Sequence, residues 1–181
     1  MKVIEHPELK GVLEIVPRIF YDQRGHFLEF YNQQTFEAAG ITDVFVQDNQ
    51  SISRKGVLRG MHFQNPPYDQ VKLVRVVWGR GLDVVIDIRK NSPTYGRHAC
   101  FLLDDKLQNM VYVPSGFAHG FLALEENTIL SYKCTDFYHK EMEGGIYWND
   151  PEIGIDRRIE NPIVSEKDQE LPLLRDFVSM F

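Results

Sequence analysis

Residues 71–88 read VKLVRVVWGRGLDVVIDI, two runs rich in valine and isoleucine on either side of a Gly-Arg-Gly turn. Short runs of β-branched residues bounded by glycine are typical of strands rather than helices. The stretch therefore predicts one strand over 71–78, a compact hairpin connection at 79–81 and a second strand over 82–88.

The same rhythm continues in both directions from this stretch. Valine, isoleucine, phenylalanine and tyrosine recur in further short segments between turn signals, at 12–16, 26–31, 44–52, 56–64, 96–103, 110–113, 117–122 and 128–134. About ten short strands without helical crossovers predict an all-β fold, a sandwich or barrel of the jelly-roll kind. Such a fold offers a ligand cavity at its mouth.

Only two helices are expected. Asn32 is a favourable N-cap for a helix over 33–39, and Gly40 ends that stretch. Ser165 opens a second short helix at 166–169 in the same way. No repeat, low-complexity segment or linker divides the sequence, so residues 1–181 are expected to form a single domain.

Composition disfavours several classes of partner. The formal charge of −6 gives no basic face for nucleic acid or for an anionic membrane. No apolar run approaches the roughly 18 residues that span a bilayer, and the first residues do not resemble a signal peptide. We therefore expect a cytoplasmic protein that binds neither nucleic acid nor membranes.

Polar residues interrupt the predicted strands in three places, at QDN 47–49, at RGMHFQ 59–64 and at AHGF 118–121. A single histidine in a strand is more often structural than catalytic. His62, His119 and Lys72 together are more informative, because several basic groups directed into one barrel are costly unless they serve an anionic ligand or a reaction.

Strict alternation along the strand at 56–64 separates two of these polar residues. Side chains change faces at each residue of a strand, so Arg59 and Met61 are expected on one face and His62 on the other. Arg59 and His62 share a face only if a bulge intervenes at Gly60.

Other kinds of chemistry have weaker support in the sequence. The six histidines include no His-x-His pair and no His-Glu-x-x-His motif, so a metal site is the weaker interpretation. There is no glycine-rich phosphate loop, no Gly-x-Ser-x-Gly elbow and no Cys-x-x-Cys pair. Nucleophilic and redox catalysis therefore lack a recognisable motif.

Several candidate side chains also have ordinary structural interpretations. Asp168 follows Ser165 with the spacing of a capping box, and that spacing alone favours a carboxylate that serves only the helix end. Tyr132 and Tyr138 are, by default, core aromatic residues.

Seven blocks of sequence, spread nearly from end to end, resemble one known family. They are DQRGHFLE at 22–29, VQDNQS at 46–51, GVLRGMHFQ at 56–64, QVKLV at 70–74, DIRKNSPTYG at 87–96, VPSGFAHGF at 113–121 and SEKD at 165–168. In this order they resemble the dTDP-4-dehydrorhamnose 3,5-epimerases, a branch of the cupin superfamily. The blocks are highly specific for the family and less specific for the exact substrate.

The resemblance implies a cofactor-independent isomerase with a cupin-type jelly-roll barrel, which inverts carbons beside a ketone by moving protons. His62 would be the base, paired with Asp168. Tyr132 would return a proton from the opposite side of the sugar, and Lys72 would hold the developing oxyanion. The ketone of the substrate is itself the electron sink, so neither a metal nor another cofactor is expected.

Further residues are implied to contact a nucleotide-sugar substrate. They are His119 at the sugar, Arg24 and Arg59 at the diphosphate, Glu29, Gln47, Asp48 and Asn49 at the nucleotide, Tyr138 as the stacking partner of the base, and Glu143 and Lys167. In the family the N-terminal strands cross to a second subunit and complete its site. A homodimer with exchanged N-terminal strands is therefore implied.

The sequence departs from the family pattern at a few positions. Met61 and Phe63 replace the usual leucine and tyrosine, and Arg157-Arg158 stand where the family commonly has Trp-Pro. These changes leave the proposed chemistry in place but leave ligand selectivity open. Two alternatives also remain: a single-centre epimerase of a related 4-keto nucleotide sugar, and a non-catalytic or metal-dependent cupin that binds sugars.

Overall fold

The computed structural model describes residues 1–156 and 159–181, which form mainly β-strands. The strands are β1 (Lys2–Glu5), β2 (Leu13–Val16), β3 (Ile19–Asp22), β4 (Gly25–Leu28), β5 (Gln47–Ser53), β6 (Val57–Gln64), β7 (Lys72–Trp78), β8 (Arg80–Asp87), β9 (His98–Asp104), β10 (Met110–Val113), β11 (Phe117–Ala123), β12 (Thr128–Cys134), β13 (Glu143–Gly145) and β14 (Ile163–Val164). The described α-helices are α1 (Gln33–Ala38) and α2 (Glu166–Gln169), and single 3-10 turns cover Lys140–Met142 and Leu174–Asp176.

Two sheets contain most of these strands. The first has the order β1-β2-β10-β7-β12-β5, and the second has the order β13-β6-β11-β8-β9 with β14 parallel to β6. The β3–β4 hairpin stands apart from both sheets. Long-range antiparallel pairing of this kind confirms the prediction of an all-β jelly-roll fold with a few short helices.

The main core lies between the two sheets. Val74, Val111 and Leu130 project from the first sheet and pack with Val85 and Phe121 from the second. Leu130 alternates with partly exposed neighbours along β12, whereas β8 and β11 are buried along most of their length. The apolar packing fixes the separation of the sheets, and polar residues occupy the cavity beside it.

The connection at 79–81 joins the two sheets, so the predicted hairpin there is wrong. β7 pairs with β10 and β12, whereas β8 pairs with β9 and β11. Gly79 has a φ of +81°, and a β-carbon there would lie 2.8 Å from Oγ1 of Thr128. Its N–H donates to the carboxylate of Asp105 at 2.8 Å. Local sequence does not distinguish a tight hairpin from a turn that passes between sheets.

Each of the ten predicted segments overlaps a strand, but β1, β3, β13 and β14 were not predicted. β13 has the sequence Glu-Gly-Gly and β14 has two residues, so neither carries a strand pattern of its own. Both form because β6 offers free hydrogen-bonding groups on that side. The predicted segment 26–31 also extends too far, because β4 ends at Leu28.

Both predicted helices are present. The Asn32 side chain accepts a hydrogen bond from the Thr35 N–H at 3.3 Å, and the Ser165 hydroxyl accepts one from the Asp168 N–H at 3.2 Å. In residues 1–156 and 159–181, no helix is long and apolar enough to cross a membrane. The departure at Arg157-Arg158 lies outside the described residues.

Candidate active site

A bulge in β6 places Arg59 and His62 beside the same cavity. In the pairing of β6 with β11, His62 faces His119 and Arg59 faces Phe121, so two residues of β6 lie opposite Gly120 alone. The extra residue reverses the alternation that follows it. The condition set by the sequence, a bulge at Gly60, is therefore met.

The bulge depends on two glycines that lie back to back. Gly60 has a φ of +126°, and a β-carbon there would lie 2.5 Å from the Cα of Gly120. A β-carbon on Gly120 would lie 2.3 Å from the sulfur of Met61. Gly60 must be glycine, because a β-carbon there would overlap the backbone of β11 at a positive φ; at Gly120 a β-carbon would displace the Met61 side chain and lie 3.0 Å from the Arg59 carbonyl oxygen.

The helix α2 supplies the partner of His62. Nε2 of His62 lies 2.6 Å from Oδ1 of Asp168, and the other carboxylate oxygen accepts a hydrogen bond from the Gly60 N–H at 3.2 Å. The Asp168 side chain is only 5% exposed. Burial raises the pKa of this carboxyl, but the hydrogen bonds from His62, Gly60 and Ser165 outweigh burial and hold the pKa below its usual value.

The interpretation favoured by spacing alone, a carboxylate that serves only the helix end, is wrong. The structure instead contains the His62–Asp168 contact that the family resemblance implied. Ser165 does cap α2, yet it does so through the backbone N–H of Asp168. The Asp168 side chain is directed to β6, where it contacts His62. The four-residue helix α2 thus positions one carboxylate beside His62.

A second histidine–carboxylate pair lies on the adjacent strands. Nε2 of His119 is 2.7 Å from Oδ2 of Asp83, and both side chains are buried. Asp83 was missed by the sequence analysis, although an aspartate within the apolar run 82–88 was a usable signal. A buried carboxylate is retained only when a cation or a donor compensates for its desolvation.

Lys72 and Tyr132 project from β7 and β12 toward the same interior. Burial lowers the pKa of Lys72, although Cys134, Glu143 and Asp83 act in the opposite direction. Burial also raises the pKa of Tyr132, so its phenol remains protonated at neutral pH. Lys72 therefore offers the cavity a cation that is costly to keep buried, and Tyr132 offers it a weak acid.

Two adjoining cavities meet at these side chains. The first has a volume of about 450 Å³ and is bordered by Arg59, His119, Lys167 and Asp168 among others. The second has a volume of about 250 Å³ and is bordered by Gln47, Asn49, Tyr138 and Glu143 among others. His62, Lys72 and Tyr132 line both, so an elongated ligand placed across them contacts all three.

A hydrogen-bonded cluster lies at the junction of the cavities. Lys167 Nζ is 2.5 Å from Oε2 of Glu143, and the Tyr138 hydroxyl donates to the same oxygen at 2.7 Å. Burial raises the pKa of Glu143, but these two partners lower it by more, so the carboxyl is ionised. The cluster links α2, which carries Asp168, to β13.

The sequence was compared with protein families and with individual proteins. Residues 6–176 match the family model described as dTDP-4-dehydrorhamnose 3,5-epimerase. A protein of that name from Methanothermobacter thermautotrophicus is 47% identical over 171 residues, covering 93% of this chain and 92% of the relative.

The chain belongs to the dTDP-4-dehydrorhamnose 3,5-epimerase family. The family recognised from the sequence blocks is thus confirmed.

Solved structures of such epimerases have the same fold. The enzyme from Bacillus anthracis, crystallised with TDP and PPi bound, has a TM-score of 0.92 at 42% identity and covers 95% of this chain and 98% of its own. The enzyme from Legionella pneumophila, in complex with dTDP-4-keto-L-rhamnose, has a TM-score of 0.93 at 40% identity and covers 98% and 94%. The predicted cupin-type jelly roll is confirmed by these neighbours of the epimerase family.

Three of the contacts implied by the epimerase family lie outside the two cavities. Asp48 is on the exposed face of β5, where it accepts a hydrogen bond from Lys133 at 2.8 Å. Arg24 lies in the turn of the β3–β4 hairpin and pairs with Asp22, and Glu29 accepts a hydrogen bond from Asn32. Within one chain, the structure does not bring these three residues to His62.

Proposed function

We propose that this chain is a dTDP-4-dehydrorhamnose 3,5-epimerase, which converts dTDP-4-dehydro-6-deoxy-D-glucose to dTDP-4-dehydro-L-rhamnose. The reaction removes and returns a proton at C3 and at C5 of the sugar. The observation that carries the proposal is that the His62–Asp168 pair, Lys72 and Tyr132 border one cavity of about 450 Å³. The names of the family members support the choice of substrate.

His62 is the proposed base. A hydrogen on a carbon beside a ketone is acidic because its removal gives an enolate, and an imidazole can take such a proton near neutral pH. An ionised Asp168 only accepts hydrogen bonds, so Nε2 of His62 carries the proton that they share. Nδ1 is then the basic nitrogen, and the carboxylate stabilises the imidazolium formed when it is protonated.

Lys72 is the proposed partner of the ketone oxygen. Negative charge develops on that oxygen during proton removal, and a buried ammonium beside it is worth more than one in water. Lys72 pays a desolvation cost in the free protein, which its lowered pKa reflects. The developing enolate places a negative charge beside the Lys72 ammonium. Lys72 therefore stabilises the transition state more than the ground state.

Tyr132 is the proposed acid. Its pKa is raised by burial, so the phenol holds a proton that it can deliver to an enolate carbon. Delivery to the face opposite His62 inverts the carbon, whereas delivery from His62 itself restores the original configuration. The same pair of groups serves C3 and C5 in turn, and the enzyme needs no cofactor.

We also propose that residues 1–181 act as a single domain within a homodimer that exchanges its N-terminal hairpins. In one chain, Phe20, Tyr21 and Phe27 of this hairpin are 48%, 71% and 69% exposed. Aromatic side chains that are exposed in a single chain and lie close together are often buried by a partner subunit in the assembly. Arg24 and Glu29, at and beside this hairpin, would then reach the ligand of the other subunit.

The direct test is to incubate the protein with dTDP-4-dehydro-6-deoxy-D-glucose in deuterated water and follow the sugar by NMR. The proposal expects deuterium at both C3 and C5 and an L-configured product. Deuterium and inversion at one carbon would identify the single-centre epimerase instead. A protein that binds dTDP but causes no exchange would be a sugar-binding cupin without this activity.

A further inference from the structure

The inner face of β5 carries four polar residues in a row: Gln47, Asn49, Ser51 and Ser53. Each is less exposed than the residue that follows or precedes it in β5, so the row faces the barrel interior. A strand beside an apolar core usually presents apolar residues there. The polar row therefore needs partners, and these can be identified one by one.

Three of the four residues are engaged within the protein. The Gln47 amide donates to Oδ1 of Asn49 at 3.1 Å, and the Asn49 amide donates to the sulfur of Cys134 at 3.7 Å. The Ser53 hydroxyl accepts a hydrogen bond from Nε of Arg59 at 3.2 Å. These contacts provide hydrogen-bond partners for Gln47 and Asn49 at one end of the row and for Ser53 at the other, but not for Ser51.

The Ser51 hydroxyl oxygen is buried and has no hydrogen-bond partner among the described residues. A buried hydroxyl without a partner is unfavourable, and most such groups in folded proteins have a partner in protein, water or ligand. Ser51 also borders the cavity of about 450 Å³. A change of its χ1 rotamer, which costs little for serine, is the step that would make the hydroxyl available to a molecule in that cavity.

Ser51 lies between the proposed acid and a guanidinium group. Asn49 is directly opposite Tyr132 in the pairing of β5 with β12, and Ser51 is the next inward residue, about 7 Å further along the strand. On its other side, Arg59 donates from Nη2 to the Ile52 carbonyl at 3.5 Å and from Nε to Ser53. The guanidinium is thus held at Ile52 and Ser53, on the side of Ser51 that lies away from Tyr132.

We propose that Ser51 donates a hydrogen bond to a phosphate oxygen of the nucleotide sugar, beside Arg59. Arg59 borders the same cavity and brings a positive charge to it, whereas Lys167 is already paired with Glu143. A guanidinium suits a diphosphate better than a neutral sugar hydroxyl. With Nε held by Ser53, the guanidinium has a fixed orientation. A neutral donor next to it adds a contact without adding a further buried charge.

This inference rests on the proposed function, because it takes the diphosphate of the substrate as the ligand. The test is calorimetric titration of the protein with dTDP, for the wild type, Ser51→Ala and Ser51→Cys. Ser131→Ala is the matched control, since Ser131 lies on the paired strand β12 and borders neither cavity that contains His62.

Loss of one hydrogen bond to a charged group weakens binding about ten-fold. We expect that loss in Ser51→Ala, a similar loss in Ser51→Cys, because a thiol is a weak donor, and unchanged binding in Ser131→Ala. The melting temperature of free Ser51→Ala should not fall, because the hydroxyl has no partner to lose. If the hydroxyl had a structural role, the melting temperature of free Ser51→Ala would instead be lower than that of the wild type.

Binding of dTDP to Ser51→Ala with wild-type affinity would overturn the role of Ser51 and leave the proposed function standing. A clear fall in melting temperature would do the same, since it would reveal a partner inside the protein. A wild-type protein that does not bind dTDP at all would overturn both the proposed function and this inference.

Discussion

Nε2 of His62 lies 2.6 Å from Oδ1 of Asp168, although the two residues are 106 positions apart in the sequence. β6 provides the histidine and a four-residue helix near the C-terminal end provides the carboxylate. The Ser165 hydroxyl and the Gly60 N–H fix the backbone and the second oxygen of Asp168. A carboxylate positioned in this way can keep one tautomer of His62 in place.

Asp168→Asn should therefore lower turnover strongly while leaving the fold nearly intact. An amide neither stabilises the imidazolium nor enforces the tautomer, and the fall is expected to be on the order of 10³–10⁴-fold in kcat. The free energy of unfolding should change by no more than about 1–2 kcal/mol. Steady-state kinetics and urea denaturation measure the two effects.

Ser165→Ala is the comparison for this variant. It removes the helix cap without removing the carboxylate, so it should cost about 1 kcal/mol of stability and far less turnover than Asp168→Asn. If Asp168→Asn turned over at the wild-type rate, Asp168 would have only a structural role.

The β6 bulge leads to a prediction about stability. Gly60→Ala would place a β-carbon 2.5 Å from the Cα of Gly120 at a φ of +126°. We expect a loss of about 2–4 kcal/mol from backbone strain and overpacking, together with loss of activity as Arg59 and His62 move apart. Denaturation curves and the exchange of solvent deuterium into the substrate measure the two losses.

Gly25→Ala is a matched control for Gly60→Ala. Gly25 has almost the same φ, +125°, but a β-carbon there would meet nothing within 4 Å. It should lose only the contribution of backbone strain, on the order of 1–3 kcal/mol, and nothing from overpacking. Equal losses in the two variants would show that the approach of β6 to β11 is not what requires glycine.

The sequence contained enough to predict ten of the strands and both helices, and its family resemblance pointed to His62, Lys72 and Tyr132, which line the cavity. The sheet to which each strand belongs could not be predicted from the sequence, and the turn at Gly79 shows why. A Gly-Arg-Gly connection satisfies the local rules for a hairpin, yet β7 and β8 find their partners in different sheets. Pairing depends on residues far away in the chain, such as those of β10 and β11.

The site shows the same limit. Strict alternation separates Arg59 from His62, and only the opposing strand reveals that two residues of β6 lie opposite Gly120. The spacing of Ser165 and Asp168 could not reveal the contact with His62, because a capping box explains the same residue at the same place; only the family resemblance implied that contact. The family resemblance assigned Asp48 to the nucleotide together with Asn49, whereas in one chain the two residues face opposite sides of β5.

The titration of Lys72 should set the alkaline limit of activity. Burial lowers its pKa from the ordinary value of 10.5 and raises that of Tyr132 from 10.0, so the two shifts favour loss of the Lys72 proton first. If the ammonium is the required form, kcat/KM falls as pH rises through the lowered pKa of Lys72. The midpoint of that fall should therefore lie below 10.5.

Lys72→Arg checks this assignment. A guanidinium keeps its proton over the whole accessible range, so the alkaline fall should move to higher pH even if the rate is lower. An unchanged midpoint in Lys72→Arg would assign the alkaline fall to another group, with Tyr132 the first to test.

Tyr132→Phe should separate proton removal from inversion. The base remains, so deuterium still enters C3 or C5 from the solvent, but the acid on the opposite face is missing. We expect exchange with retained configuration and a fall in L-configured product of at least about 100-fold. NMR in deuterated water measures both in one sample, and continued inversion would remove Tyr132 from the role of acid.

The position of Arg24 allows a test of subunit exchange. If Arg24 serves the site of the other subunit, Arg24→Ala and His62→Ala are each defective alone, but a mixed dimer regains one complete site. That site has His62 from the Arg24→Ala chain and Arg24 from the His62→Ala chain. With half of the dimers mixed and one of two sites restored in each, activity should reach about a quarter of the wild type.

The mixture is prepared by co-expression or by unfolding and refolding the two variants together. If Arg24 acted within its own chain, every site would lack one of the two residues, and no activity would return. The measurement thus distinguishes an exchanged hairpin from one that folds back onto its own barrel.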